Sequence, residues 1–483
     1  MAETIKSLEP IETRLFISGE FRNSSSGKTF DVIYPYTKEV VAQVQEADVK
    51  DVNDAVDAAE AAFPAWRDLG VEKRGDYLRK LSDAVRESIP DLGKLETLSI
   101  GRPVSMYPDG KLAADHFRFF ADHAWNIQGT ASTNTPGLFK MTIKEPYGVT
   151  GLIIPWNFPM ANLAGKLAPA LAAGNTVVLK SSEKAPLTSL YFAKLVEKIG
   201  FPPGVVNIIS GFGQPAGSTL AEHMKVRAIS FTGSSLTGQR IHAASAKSNL
   251  KHVHTELGGK SPAIIFDDAN LESAAQHTMF GIQLNSGQVC VANSRVYVQE
   301  NVKEKFMHCF QAAMASVKIG DPLDPSTQHG PQIDHLQYKR VKEYIELAEK
   351  EGKITLGGNP DDGYFIKPTI IEDLSEDSRV MKEEIFGPVV AVQTFKTEDE
   401  GIQKANATEF GLFASVFTTD LDRAIRLSRA IQAGTIAVNA TGPASAASDA
   451  AFGGYKMSGS GREGLLYSIE NYLQTKTIVI RSG

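Results

Sequence analysis

The sequence predicts an α/β protein with two doubly wound domains and a small β arm, and three patterns carry that reading. Short β-rich runs alternate with segments of helical spacing from about residue 148 onward. The alternation restarts after Gly258, and two β-like pieces, at 139–143 and 475–480, belong to neither series. Strands that alternate with helices join in βαβ units, which build parallel sheets covered on both faces.

In chain order, residues 149–154, 176–179, 205–209 and 228–231 read as strands of the first sheet. Between them, 163–173 and 187–199 carry helical spacing. After Gly258 the strands are expected at 263–266, 295–298, 389–395, 414–417 and 435–438, again separated by helices. Phe139, Met141 and Ile143 alternate with Lys140, Thr142 and Lys144, and 475–480 is rich in β-formers. Two such outlying strands suggest an arm for self-association.

At 483 residues the chain exceeds one ordinary core, so several domains sharing a site are expected. The apolar share of 42%, the charged share of 22% and a net charge of −6 describe a globular protein with no basic footprint for nucleic acid. The longest apolar run, near 149–155, falls far short of the roughly 20 residues that span a bilayer. No membrane partner is expected. The first residues have neither a secretory nor a transit-peptide pattern, which makes cytoplasm the expected location. No repeat of solenoid or propeller type occurs.

Two cysteines are too few for a disulfide scaffold, so each is weighed alone. Cys309 shares helical spacing with Val302, Phe306, Ala313 and Val317 and reads as a small core residue. Cys290 follows Asn285-Ser286-Gly287-Gln288-Val289, a glycine-containing turn, so its sulfur can be reachable; an inert structural thiol is the equal alternative. Glu256 precedes Gly258-Gly259 at a strand end, where a carboxylate can act as a base or merely orient a loop.

Neither standard phosphate-binding fingerprint is complete. Gly211-Phe212-Gly213 is followed by Gly217, one residue late, and Gly233 to Gly238 continues as Gln239-Arg240. Ser234 nevertheless opens a helix after a strand, a place for a phosphate or for an ordinary N-cap. Lys180 and Glu183 end a strand at the sheet edge where ligands bind, and solvated loop charges are the alternative. His252 and His254 can share a strand face near Glu256, but no third ligand follows at a suitable spacing, so no metal is expected.

Six segments together resemble the aldehyde dehydrogenase superfamily over nearly the whole chain. They are Pro155-Trp156-Asn157-Phe158-Pro159, Phe231-Thr232-Gly233-Ser234, Glu256-Leu257-Gly258-Gly259-Lys260, Gly287-Gln288-Val289-Cys290, Glu384-Ile385-Phe386-Gly387-Pro388 and Phe452-Gly453-Gly454-Tyr455-Lys456-Met457-Ser458-Gly459. The resemblance implies a dinucleotide-binding domain over 1–127 and 147–257, a catalytic domain over 258–457, and an oligomerisation arm over 128–146 and 472–483. It makes Cys290 the nucleophile, Asn157 with the Cys290 backbone N–H the oxyanion hole, and Glu256 the general base, with Lys166 and Glu463 as a proton-relay pair. NAD, with NADP as the alternative, would lie against Ile153, Pro155 and Trp156. Lys180 and Glu183 would hold the adenosine ribose, Gly213, Gly217 and Ser234 would line the pyrophosphate path, and Glu384 and Phe386 would hold the nicotinamide end. Glu183 should repel a 2′-phosphate, which favours NAD.

The substrate pocket is expected at Phe158, Ala161, Val289, Val291, Ala446 and Phe452. Val289 and Val291 form an apolar collar around the nucleophile, and 441–449 is nearly all small side chains, as are Ala161 and Gly165. A bulky aromatic or medium-to-long apolar aldehyde is therefore the expected substrate, and a homodimer or homotetramer the expected assembly. A CoA-acylating enzyme and a non-catalytic relative are the rivals. Glu256, a water-activating carboxylate that a thiol acceptor does not need, argues against the first, and the combination of Asn157, Glu256 and Cys290 argues against the second.

Overall fold

The computed structural model describes residues 1–8, 10–358, 363–442 and 449–481. Five parallel strands form the centre of an eight-stranded sheet, in the spatial order Val206–Ser210, Thr176–Ser181, Val149–Ile153, Val226–Thr232 and His252–Glu256. The winding direction reverses between Val149–Ile153 and Val226–Thr232. At such a reversal a crevice opens beyond the carboxyl ends of the strands, and ligands bind there. Leu15–Ile17 and Glu20–Arg22 extend one edge as antiparallel strands, and Gly459–Ser460 pairs antiparallel with Thr255 and Glu256 on the other.

Side-chain alternation explains why these strands read as continuous apolar runs. Leu152, Val177, Leu179, Val206 and Ile208 pack on one face against Leu163, Leu167 and Leu171 of the helix Pro159–Ala173 and Leu190 of Leu187–Ile199. Val149, Ile153, Val178, Ile209 and Ile229 pack on the other against Val52 and Val56 of Val49–Asp68 and Ile241 of Ser235–Lys247.

The second sheet has seven strands, in the order Lys353–Leu356, Thr369–Glu372, Val389–Phe395, Arg295–Gln299, Pro262–Ile265, Phe413–Phe417 and Thr435–Val438. Only the pair at the Lys353 edge is antiparallel. One face buries Ala263, Ile265, Val296 and Val298 with Phe306 and Phe310; the other buries Ile264 and Tyr297 with Val341, Ile345 and Leu427.

The two outlying segments pair with each other: Leu473–Arg481 runs antiparallel to Leu138–Pro146, whose other side takes Ala131–Ser132. The strands Lys353–Leu356 and Thr369–Glu372 and the N-terminal strands were not expected from sequence; of these only Leu15–Ile17 is buried throughout, so the rest lack the uninterrupted apolar signal of the central strands. The helix expected from residue 163 starts at Pro159, because proline at the first turn forfeits no helical hydrogen bond. Cys309 lies on Lys303–Ala315, half-buried against the core of the second sheet. Among the described residues no helix is long and apolar enough to cross a membrane.

Candidate active site

Cys290 lies five residues before the strand Arg295–Gln299, at the end of a loop whose backbone is unusual. Asn285, Ser286 and Gly287 are consecutive left-handed residues, with φ of 50°, 55° and 76°. Non-glycine residues adopt that conformation only when surrounding contacts hold them there. The contacts are polar and buried. Asn285 donates to the Asn157 carbonyl at 3.1 Å, Gln288 Nε2 donates to the Asn285 carbonyl at 3.0 Å, and Ser286 Oγ donates to the Gly330 carbonyl at 2.8 Å. Gln288 Oε1 accepts from the Ile333 N–H at 3.0 Å. Gly287 tolerates no Cβ, which would overlap the Gly387 backbone.

Asn157, 5% exposed, follows the strand Val149–Ile153 and donates Nδ2 to the Gln288 carbonyl at 3.0 Å. A carboxamide has two hydrogens, so one orients the group against the nucleophile loop and a second is left to donate. Cys290 is partly exposed, and burial, followed by the nearby charges of Glu384 and Glu256, pushes its thiol up to about 12.

Glu256 closes the strand His252–Glu256 of the other sheet and is 4% exposed. Neither carboxylate oxygen has a hydrogen-bond partner. Burial, reinforced by the charge of Glu463, holds its carboxyl well above the usual range. Glu463 behaves oppositely. Burial pushes it up, yet Lys166 Nζ at 2.5 Å outweighs that and holds it below the ordinary value. Two carboxylates with opposed environments are the pattern from which acid and base roles are read.

Most of the dinucleotide candidates lie at the carboxyl ends of successive strands of the first sheet, whereas Glu384 and Phe386 precede Val389–Phe395 of the second. Pro155 and Trp156 follow Val149–Ile153, Glu183 follows Thr176–Ser181, Gly213 and Gly217 follow Val206–Ser210, and Ser234 follows Val226–Thr232. Ile153 is the last residue of its strand and lies 8% exposed. A Cβ on Gly213 would meet no atom within 4 Å, and one on Gly217 would lie 3.7 Å from the Lys180 side chain. Lys180 Nζ donates to the Ser181 carbonyl at 2.9 Å, and burial lowers its ammonium to about 8. Ser234 caps Ser235–Lys247 by accepting from the Thr237 N–H at 3.3 Å, so the cap and a phosphate-binding position coincide. Trp156 meets Phe386 edge to face at 5.4 Å, which joins the two sheets' loops, and Glu384 accepts from the Gly259 N–H at 2.9 Å. The open space at Gly213 and the carboxyl-end position of the first-sheet residues fit the expected dinucleotide-binding edge.

In the substrate pocket Phe158, Ala161 and Phe452 are half-buried. Val289 and Val291 are each 2% exposed and belong to the core of the second sheet, so the expected collar is a buried wall rather than an open rim. Ala446 lies outside the described residues. A Cβ added at Gly165 would meet no atom within 4 Å, so close helix packing does not explain the glycine there. Among the described residues no cluster of three or more metal-ligating side chains occurs.

Sequence reasoning missed Asn285 and Gln288 as the polar locks of the nucleophile loop, and it weighed His254 only as a metal ligand. The one signal in the chain was a polar run of residues ahead of Cys290 with no helical spacing.

A family model described as the aldehyde dehydrogenase family matches residues 21–478. The chain belongs to the aldehyde dehydrogenase family. An aldehyde dehydrogenase of Emericella nidulans is 45% identical over 97% of this chain and 95% of its own length. Human retinal dehydrogenase 2 is 43% identical over 98% of this chain and 93% of its own. Among solved aldehyde dehydrogenase structures, the indole-3-acetaldehyde dehydrogenase AldA of P. syringae in complex with NAD+ and IAA superposes with a TM-score of 0.96, at 35% identity, covering 100% of this chain and 99% of that one. The agreement of the two doubly wound units with aldehyde dehydrogenase structures makes the α/β expectation correct.

Proposed function

We propose that this enzyme oxidises bulky aromatic or medium-to-long apolar aldehydes to carboxylic acids with NAD, through a thioester on Cys290 that water hydrolyses with Glu256 as base. Aldehyde oxidation with NAD(P) follows from the family. The observation that carries the finer reading is Glu256, a buried carboxylate whose two oxygens have no partner, beside a nucleophile loop locked to the Asn157 amide.

The Cys290 sulfur, once deprotonated, bonds to the aldehyde carbon while the carbonyl π pair moves onto oxygen. The free hydrogen of the Asn157 amide and the Cys290 backbone N–H are the donors for that oxyanion, and one such donor is typically worth roughly 3 kcal/mol of barrier. A nicotinamide dinucleotide held by Lys180, Glu183, Glu384 and Phe386 would supply the two-electron acceptor for the hydride that departs as the oxyanion re-forms the carbonyl of the thioester. The chain's own tasks are then to exclude bulk water and to release the acyl group. Glu256 in its ionised form takes a proton from water as the water oxygen bonds to the thioester carbon, and the carbon–sulfur bond breaks to regenerate the Cys290 thiolate. Glu463, held ionised by Lys166 and with 18% of its side chain exposed, offers that proton a way towards solvent.

For the substrate, the half-buried Phe158, Ala161 and Phe452 and the open space at Gly165 support a wide apolar entrance, and two of the relatives carry the names of bulky aldehydes. Glu183 at the end of its strand supports NAD over NADP. Exposed Phe139, Val479 and Ile480 on the arm support self-association through it.

NADH formation at 340 nm with a panel of aliphatic and aromatic aldehydes, without CoA, tests the reading. The native enzyme is expected to turn over and to prefer an aromatic or C8 aldehyde to acetaldehyde. Cys290→Ala is expected to lose all activity, and Glu256→Gln to give one burst without steady turnover. An active Cys290→Ala enzyme would remove the assigned nucleophile, and a reaction that starts only when CoA is added would make the enzyme acylating.

A further inference from the structure

His254 stands between the two carboxylates of opposite character. Its ring is 1% exposed, with Nε2 3.6 Å from Glu256 Oε1 and Nδ1 3.7 Å from Glu463 Oε1. Nδ1 also lies 3.1 Å from Ser230 Oγ, which is itself hydrogen bonded to the Tyr472 phenol. Nε2 has no hydrogen-bond partner, and neither has Glu256. The ring is fixed in place by Gly461, where a Cβ would overlap it.

The charges around the ring decide where its proton sits. Glu463 is ionised beside Lys166 of the helix Pro159–Ala173, so the ring nitrogen that faces Glu463 and Ser230 carries the hydrogen. The remaining charged and titratable neighbours are His252 on the same strand and Arg462 beside Glu463; both disfavour a second proton on the ring, and burial lowers the imidazole further, to about 4. A neutral imidazole with its proton on Nδ1 presents a bare lone pair at Nε2. A lone pair facing a carboxylate oxygen is repelled by it, whereas the protonated carboxyl can donate to it.

We propose that His254 is a positioning residue that parks Glu256 in its protonated form, with the Glu463–Lys166 pair dictating this through the choice of imidazole tautomer. While Glu256 is neutral it adds no negative charge beside Cys290, which favours thiolate formation and acylation. It must then ionise before it can serve hydrolysis. The consequence, which rests on Glu256 being the hydrolytic base, is a delay between the two half-reactions that is set by a residue touching neither substrate nor cofactor.

The test is the pH profile of steady NADH formation after the burst, measured on the full-length native enzyme, His254→Leu and His254→Asn, with thermal unfolding to check folding. Hydrolysis needs ionised Glu256, so the rate rises with pH and its midpoint reports that ionisation. Leucine removes the acceptor and keeps the site apolar, and asparagine replaces the acceptor with a group that can donate. The midpoint is expected to fall by about one pH unit in His254→Leu, a tenfold change in the ionisation ratio, and further in His254→Asn, with the burst amplitude unchanged. If burial alone held the carboxyl protonated, leucine would leave the midpoint in place or raise it, and either result overturns the proposal. Should one variant fail to fold, the other decides by the same shift. Glu256→Gln separates the two readings: if it still turns over steadily with the native midpoint, the base assignment fails, whatever His254 does.

Discussion

Asn157 has two amide hydrogens, and the Gln288 carbonyl at 3.0 Å engages one of them. That contact does two things: it fixes the plane of the carboxamide, and it ties the proposed oxyanion donor to the same loop that carries Cys290. Asn157→Ala therefore loses both a donor and a loop contact. We expect kcat/KM to fall by on the order of 100-fold, the equivalent of roughly 3 kcal/mol, while Cys290 stays available to a slow alkylating reagent. Comparable loss of alkylation would mean that Asn157 acts only by holding the loop. At this scale Cys290, Glu256 and Asn157 stood out through the motifs that resemble the family, since residue type alone left an inert thiol and a loop-orienting carboxylate open. His254 was not legible, because its role depends on the distances to two carboxylates, one of them on a strand-loop over 200 residues away. The burial of Val289 and Val291 was hidden for a related reason: flanking the nucleophile in sequence says nothing about which way the backbone turns each side chain.

At the scale of elements, the long parallel strands and their helices were legible because burial on both faces leaves an uninterrupted apolar run, as in Val149–Ile153. The short edge strands were not, since Lys353–Leu356 has one exposed and three half-buried residues and so lacks that signal. The helix Pro159–Ala173 offers a test of the wide entrance. Gly165 lies within it, with open space where a side chain would go. Gly165→Ala is expected to raise stability by about 0.5–1 kcal/mol, measured by denaturant unfolding, because glycine is a poor residue in a helix interior. Gly165→Phe is expected to keep the fold but to lower kcat/KM for an aromatic aldehyde more than for acetaldehyde. Equal losses for both aldehydes would take Gly165 out of the substrate path.

For the whole molecule, the arm is the feature that a single chain leaves unexplained. Leu473–Arg481 and Leu138–Pro146 pair over nine residues, yet Phe139, Val479 and Ile480 stay 38%, 55% and 49% exposed. Phe139 and Ile480 are cross-strand partners and share one face, an exposed apolar pair of the kind that another molecule can cover, while Val479 points to the other face. Replacing Val479 and Ile480 by aspartate is expected to lower the mass seen by light scattering to that of a monomer, with the circular dichroism of the two α/β units retained. An unchanged mass would place any self-association elsewhere. The outlying strands were legible as a pair because their alternation fits neither series of βαβ units, whereas their partner in an assembly leaves no mark in the pattern of one chain.

The edge strand Gly459–Ser460 also bears on the order in which the enzyme comes into being. Its pairing with Thr255 and Glu256, and the arrival of Glu463 beside His254, depend on a segment more than 200 positions further along the chain. Cys290 and its loop are made far earlier. Glu256 and His254 therefore take up their observed surroundings only after that later segment has been made and has docked against their strand.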